Sequence, residues 1–141
     1  MICGIINSIN EVNTVFDFSG FKEFGFSEGT PYISVTKNGV TFNKGTVLKL
    51  GSPAFVVLLI NEESKQVAIK NCTAETPRSN AFFKPNDRGV LSVRWNNRDL
   101  LNTFKALTGW DLEKQSYRIE GQLLKEEGAM LFDLTKAELL P

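Results

Sequence analysis

Apolar and polar residues alternate from Ile33 through Ser34, Val35 and Thr36, and again over Val40-Thr41-Phe42. Alternation at period two marks half-buried strands. Between them stands Asn38-Gly39, a dipeptide suited to a type I′ turn, whose central residues need positive φ. The pattern predicts a β-hairpin over 33–42. Asn43 is a fair N-cap, and Val47, Leu48 and Leu50 fit a short helix that Gly51 and Pro53 would end. Phe55 to Ile60 is an apolar strand, Asn61-Glu62-Glu63-Ser64-Lys65 a polar turn, and Gln66 to Ile69 a returning strand.

The same grammar recurs over residues 81–135. Ala81-Phe82-Phe83 predicts a strand, Pro85 to Gly89 a turn, and Val90 to Trp95 a second strand. Asn96 or Asn97 would cap a helix that carries Leu100, Leu101, Phe104 and Leu107 on one face. Gly109 would end it. Tyr117 to Leu124 and Met130 to Leu134 predict strands around a Glu126-Glu127-Gly128 turn. The expected fold is therefore mainly β: two tandem ββαββ units, 32–70 and 81–135, folding into one barrel domain over 31–141. A polar linker, 71–80, contains Pro77 and joins the units.

Residues 1–30 lie outside the repeat. They carry Phe16, Phe18, Phe21, Phe24 and Phe26. Their spacing fits neither helix nor strand cleanly. The expectation is an arm that packs on the barrel or on a partner protein. Stacking on single-stranded bases needs neighbouring cations, and this arm has only Lys22 against Glu11, Asp17, Glu23 and Glu28.

The first unit resembles the half-barrel of the SpoVT/AbrB and MazE-like swapped-hairpin transcription factors. The residues that carry the resemblance are Val40 to Phe42, Val47 to Gly51, Phe55 to Ile60, Asn61 to Lys65 and Val67 to Lys70. In that family two chains interleave their hairpins. The resemblance implies that this chain supplies both halves itself, while a homodimer stays open. It also implies that the first hairpin and helix of each unit face double-stranded DNA.

Charge and composition sharpen this picture. The 141 residues hold 16 Lys plus Arg, 16 Asp plus Glu and no His. Imidazole-based zinc sites and histidine-dependent nucleophiles are excluded. The zero net charge is unevenly spread. Residues 31–51 carry +3 from Lys37, Lys44 and Lys49, residues 78–105 carry +4, and the remainder carries −7. Local field, not the total, governs phosphate binding. The candidate nucleic-acid contacts are therefore Lys37, Lys44, Lys49, Arg88, Arg94 and Arg98. The two latter arginines suit bidentate phosphate or guanine contacts, and the lysines act as point charges. Solvated surface charge is the competing explanation.

Other constellations point to no chemistry. Glu62-Glu63 and Glu126-Glu127 sit in turns where neighbouring carboxylates diverge. Trp95 and Trp110 flank the second helix and suit a core. No GxGxxG, GxSxG or P-loop is present. No catalysis, cofactor or metal is expected. Cys3 and Cys72 are too few for a disulfide scaffold. The longest uncharged internal run, Leu50 to Asn61, is interrupted by Pro53 and is short of the roughly 20 residues of a spanning helix. A cytoplasmic protein is the expectation. The rival function is a non-catalytic interaction or assembly module without nucleic acid. A small enzyme would need a deep pocket with convergent polar groups.

Overall fold

A computed structural model describes residues 16–21 and 29–140. Nine strands and two helices follow in the order β1 (Tyr32–Thr36), β2 (Gly39–Phe42), α1 (Lys44–Lys49), β3 (Phe55–Asn61), β4 (Gln66–Cys72), β5 (Asn80–Ala81), β6 (Val93–Trp95), α2 (Arg98–Thr108), β7 (Tyr117–Leu124), β8 (Ala129–Asp133) and β9 (Glu138–Leu139). The strands form one curled antiparallel half-barrel sheet, ordered β5-β3-β4-β8-β7-β1-β2-β6, with β9 added beside β7. No helix among the described residues is long and apolar enough to cross a membrane.

The interior follows from the alternation. Ile33 and Val35 from β1, Val40 and Phe42 from β2, Val67 and Ile69 from β4, and Met130 and Phe132 from β8 all turn inward and are buried. At about 25 cal/mol per Å² of apolar area, this shared interior is the main stabilising term. The helices close the two ends. Helix α1 sits where β1 begins and β4 ends, and Asn71 Nδ2 donates to Leu50 O at 3.0 Å. Helix α2 sits beyond β6, and buries Leu100 and Phe104.

Asn43 fastens α1 to the sheet. Its Oδ1 accepts from Thr46 N at 2.9 Å, the helix cap, and from Tyr32 N at 2.9 Å. Its Nδ2 donates to Thr30 O at 2.8 Å. Thr46, fully buried, has a hydroxyl within reach of both Tyr32 O and Asn43 Oδ1. One hydrogen serves one of the two.

Several expectations change. The β1–β2 turn is centred on Lys37 and Asn38, because Thr36 pairs with Gly39. Asn38 does not have positive φ, so the turn is not type I′. Gly39, at φ 149°, is needed for a different reason. A Cβ there would lie 2.7 Å from Trp95 O on the adjoining β6. Asn97, not Asn96, caps α2, accepting from Leu100 N at 2.9 Å. Strand β9 and the 3₁₀ turns at 125–127 and 134–136 were not expected.

The largest correction concerns the strands expected over 81–83 and 90–95. They do not form a hairpin. Strand β5 pairs with β3 through Phe55↔Ala81 and Val56↔Asn80, while β6 pairs with β2. Asn86 holds the intervening loop in a turn: its Nδ2 donates to Val90 O, and its Oδ1 accepts from Arg88 N and Val90 N. The only hydrogen bond between β5 and β6 among the described residues is Trp95 Nε1 to Ala81 O, 3.2 Å. Beneath it Phe42, Phe82 and Trp95 pack edge to face, with centroids 4.9 to 6.0 Å apart.

Of the five phenylalanines in the arm, Phe24 and Phe26 lie outside the described residues. Phe16, Phe18 and Phe21 form a mutual knot, with centroids 4.6 to 5.7 Å apart. Each ring stays more than half exposed, at 54%, 66% and 64%.

Candidate functional site at the α2 end

Helix α2 is amphipathic. Leu100 and Phe104 enter the interior, so Arg98, Asn102 and Lys105, at i, i+4 and i+7, fall on the outward face. Asn97 starts the helix and Gly109, in the left-handed region at φ 79°, ends it. The chain then turns back through Trp110, whose ring stacks on Tyr117 of β7 at 4.2 Å and 11°. Asp111 holds the following turn, accepting through Oδ1 from Glu113 N and through its carbonyl from Lys114 N and Gln115 N. These contacts set the 110–116 loop beside the β1–β2 turn.

Two recesses result. One, of about 400 Å³, lies between α2 and this loop; its walls include Lys37, Arg98, Lys105, Asp111 and Glu113. The other, of about 440 Å³, adjoins it at the hairpin tip and includes Lys37, Arg94, Glu113 and Lys114. Arg94 stands on β6 opposite Thr41. Its Nε is 3.4 Å from where a Cβ of residue 39 would be, so Gly39 also leaves room for this guanidinium.

The electrostatics are lopsided. Five cations (Lys37, Arg94, Arg98, Lys105, Lys114) face two acids (Asp111, Glu113), a local balance of +3. The one ion pair here is Lys37 Nζ to Glu113 Oε2 at 4.0 Å, between largely exposed side chains. Such a pair contributes little. Arg94, Arg98 and Lys105 have no carboxylate within ion-pair distance among the described residues. The two carboxylates held below their ordinary range lie elsewhere: Asp17 by hydrogen bonds from Ser19, and Asp133 chiefly by the Thr135 hydroxyl.

Of the six cations expected to contact nucleic acid, Lys37, Arg94 and Arg98 meet at this end. Lys44 and Lys49 ride on α1 at the other end of the sheet, separated from Lys37 by the length of β2, about 13 Å. Arg88 sits on the exposed loop between β5 and β6, which leaves and re-enters the sheet on the α1 side. Lys105 and Lys114 were not expected in the site. The 98-102-105 spacing could have revealed Lys105. Nothing local marks Lys114, because tertiary packing places its loop. No cluster of three or more His, Cys, Asp or Glu able to hold a metal ion occurs among the described residues. Comparison with family models, with curated proteins and with solved structures finds no match to this chain.

Proposed function

We propose that the chain is a DNA-binding protein that uses the α2 end, and that its fold is a duplicated ββαββ of the swapped-hairpin kind. The fold reading draws support from the pairing pattern. Exchanging the units turns β1–β7 into β5–β3 and β3–β4 into β7–β8, and leaves β2–β6 and β4–β8 unchanged. Only β1–β2 and β7–β9 have no paired counterpart.

The observation that carries the function is the unneutralised +3 set around the adjoining recesses. Backbone phosphates would be met first by Arg98, Lys105 and Lys37. Arg94 and Lys114 would extend the contact along the hairpin tip. Arginine at a groove rim engages phosphate oxygens bidentately. The test is fluorescence anisotropy of a labelled duplex at low salt. The double variant Arg94→Ala/Arg98→Ala should lower the salt slope by about 2, whereas Lys44→Ala/Lys49→Ala should leave it nearly unchanged. Equal loss from both pairs would refute the assignment to this end.

A second reading, an interaction module without nucleic acid, is favoured by the exposed Phe16–Phe18–Phe21 knot. Exposed clustered aromatics are typical anchors for a protein partner. Phe18→Ser would then abolish partner capture, and the parent chain would show no affinity for duplex DNA at low salt.

A further inference from the structure

The sheet has an unfinished edge. Along one side of β3 only Phe55 and Val56 are paired, by β5. Backbone parity shows which groups the rest of this edge presents. Ala54 O accepts from Phe82 N on the β5 side. On the neighbouring strand Asn71 N donates to Gly128 O and Lys65 O accepts from Leu134 N, so the odd residues of β4 face β8 and the even ones face β3. With the register Leu58↔Ile69 and Ile60↔Val67, the N–H and C=O of Leu58 and Ile60 point to the open side. Among the described residues no hydrogen bond reaches them there.

The cause lies in the linker. Strand β4 ends opposite Phe55, at the α1 end. A β5 as long as β1 would begin opposite the far part of β3. Residues 73–79 do not climb that far. They close on themselves through Thr76 N to Thr73 O, Ser79 N to Thr76 O and Ser79 Oγ to Ala74 O. Arg78, at φ 62°, turns the chain into the edge only at Asn80. In the first unit β1 pairs with β7 over four residues; β5 pairs with β3 over two.

The shortfall leaves a notch of about 510 Å³ between β3 and α2. Leu58, Ile60, Leu100 and Trp95 supply its apolar surface, and Asn80, Asn97 and Thr103 are among its polar rim. Its two charged residues, Arg94 and Asp99, are of opposite sign, so it lacks the cationic bias of the adjoining recesses.

We propose that this notch binds an extended peptide segment of a protein partner, added antiparallel to β3. The occupant is specified by the chemistry present. Four main-chain groups in strand geometry ask for another strand. Residues directly opposite in an antiparallel pair share a face, so the segment carries apolar side chains at i and i+2, opposite Leu58 and Ile60. An unbiased local charge excludes a strongly acidic or basic segment. Of the proposed DNA contacts, this surface shares only Arg94.

The test uses the full chain and a random octapeptide library displayed on phage, with the strongest binder then synthesised. Enriched peptides should share an apolar i, i+2 pattern, and the synthetic peptide should slow amide exchange at Leu58 and Ile60. Ile60→Pro removes an edge donor without taking a β3–β4 ladder bond. It should weaken peptide binding at least about tenfold. Thr103→Trp, which fills the notch from α2 and leaves β3 untouched, should do the same if the proline variant fails to fold. DNA affinity should survive Thr103→Trp, which separates failure of this proposal from failure of the DNA reading. Peptides that bind Thr103→Trp as well as the parent would overturn the proposal. So would protection of Leu58 and Ile60 that rises with protein concentration alone, because the occupant would then be a second copy.

Discussion

Two helix caps of the same residue type ought to differ sharply in what their loss costs. The Asn97 side chain makes one hydrogen bond, accepting from Leu100 N at 2.9 Å. Asn43 caps Thr46 N, and it also holds Tyr32 N and Thr30 O. Truncating a cap costs about 1 kcal/mol. Each further hydrogen bond adds about 1 kcal/mol when its partner is left unsatisfied at a partly buried site. Tyr32 N is such a partner, whereas the bond to Thr30 O is exposed and water replaces it. Asn43→Ala should therefore destabilise the protein by about 2 kcal/mol, against about 1 kcal/mol for Asn97→Ala. The Thr46 hydroxyl does not add to the first figure, because it can turn fully to Tyr32 O, 3.1 Å away. Asn43→Asp keeps the acceptors, loses only the exposed bond to Thr30 O, and should cost about 0.5 kcal/mol or less. Urea denaturation followed by circular dichroism measures all three, with m-values checked for constancy. Equal losses at positions 43 and 97 would refute the claim that Asn43 ties α1 to β1.

Other consequences follow from single contacts. Gly121→Ala puts a Cβ 2.8 Å from the Phe132 ring and 2.9 Å from Met130 Sδ; overpacking of this kind should cost about 1–3 kcal/mol in the same denaturation assay. Trp95→Phe keeps one aromatic ring near Phe42 and Phe82 but loses the rest of the indole and its bond to Ala81 O, so it should cost at least about 1 kcal/mol and speed amide exchange at β5 before β4. Asp133 accepts from Thr135 Oγ1 at 2.6 Å, and its carboxyl lies below its ordinary value. A depressed carboxylate pKa contributes stability above the unfolded value, and that contribution is lost as pH falls through the folded value. Thr135→Val should raise the Asp133 titration midpoint seen by NMR and flatten the acid limb of the stability curve; an unmoved midpoint would show that the hydroxyl is not the cause.

The first unit was legible because its signals are local. Alternation marked β1 and β2, Asn43 marked the start of α1, and the polar 61–65 segment marked the turn between β3 and β4. The second unit was legible only where the same holds, in α2, β7 and β8. The expected 81–83/90–95 hairpin failed for a reason that no local pattern contains. Its first strand is drawn to β3 by a linker that ends its turns opposite Val56. The site divides in the same way. Arg94 and Arg98 follow from strand and helix periodicity. Lys114 and the counter-charge of Glu113 arrive through a loop positioned by Trp110 on Tyr117. The open edge of β3 depends on what β5 leaves uncovered, which only the three-dimensional pairing reveals.

The central claim is that an overall neutral chain binds duplex DNA through a locally basic end. The most direct measurement is the affinity of the full chain for a labelled duplex across a salt series. With up to five cations at the α2 end, log K against log salt should fall with a slope of about −3 to −4.5. Absence of binding at low salt, or a slope near zero, would contradict it.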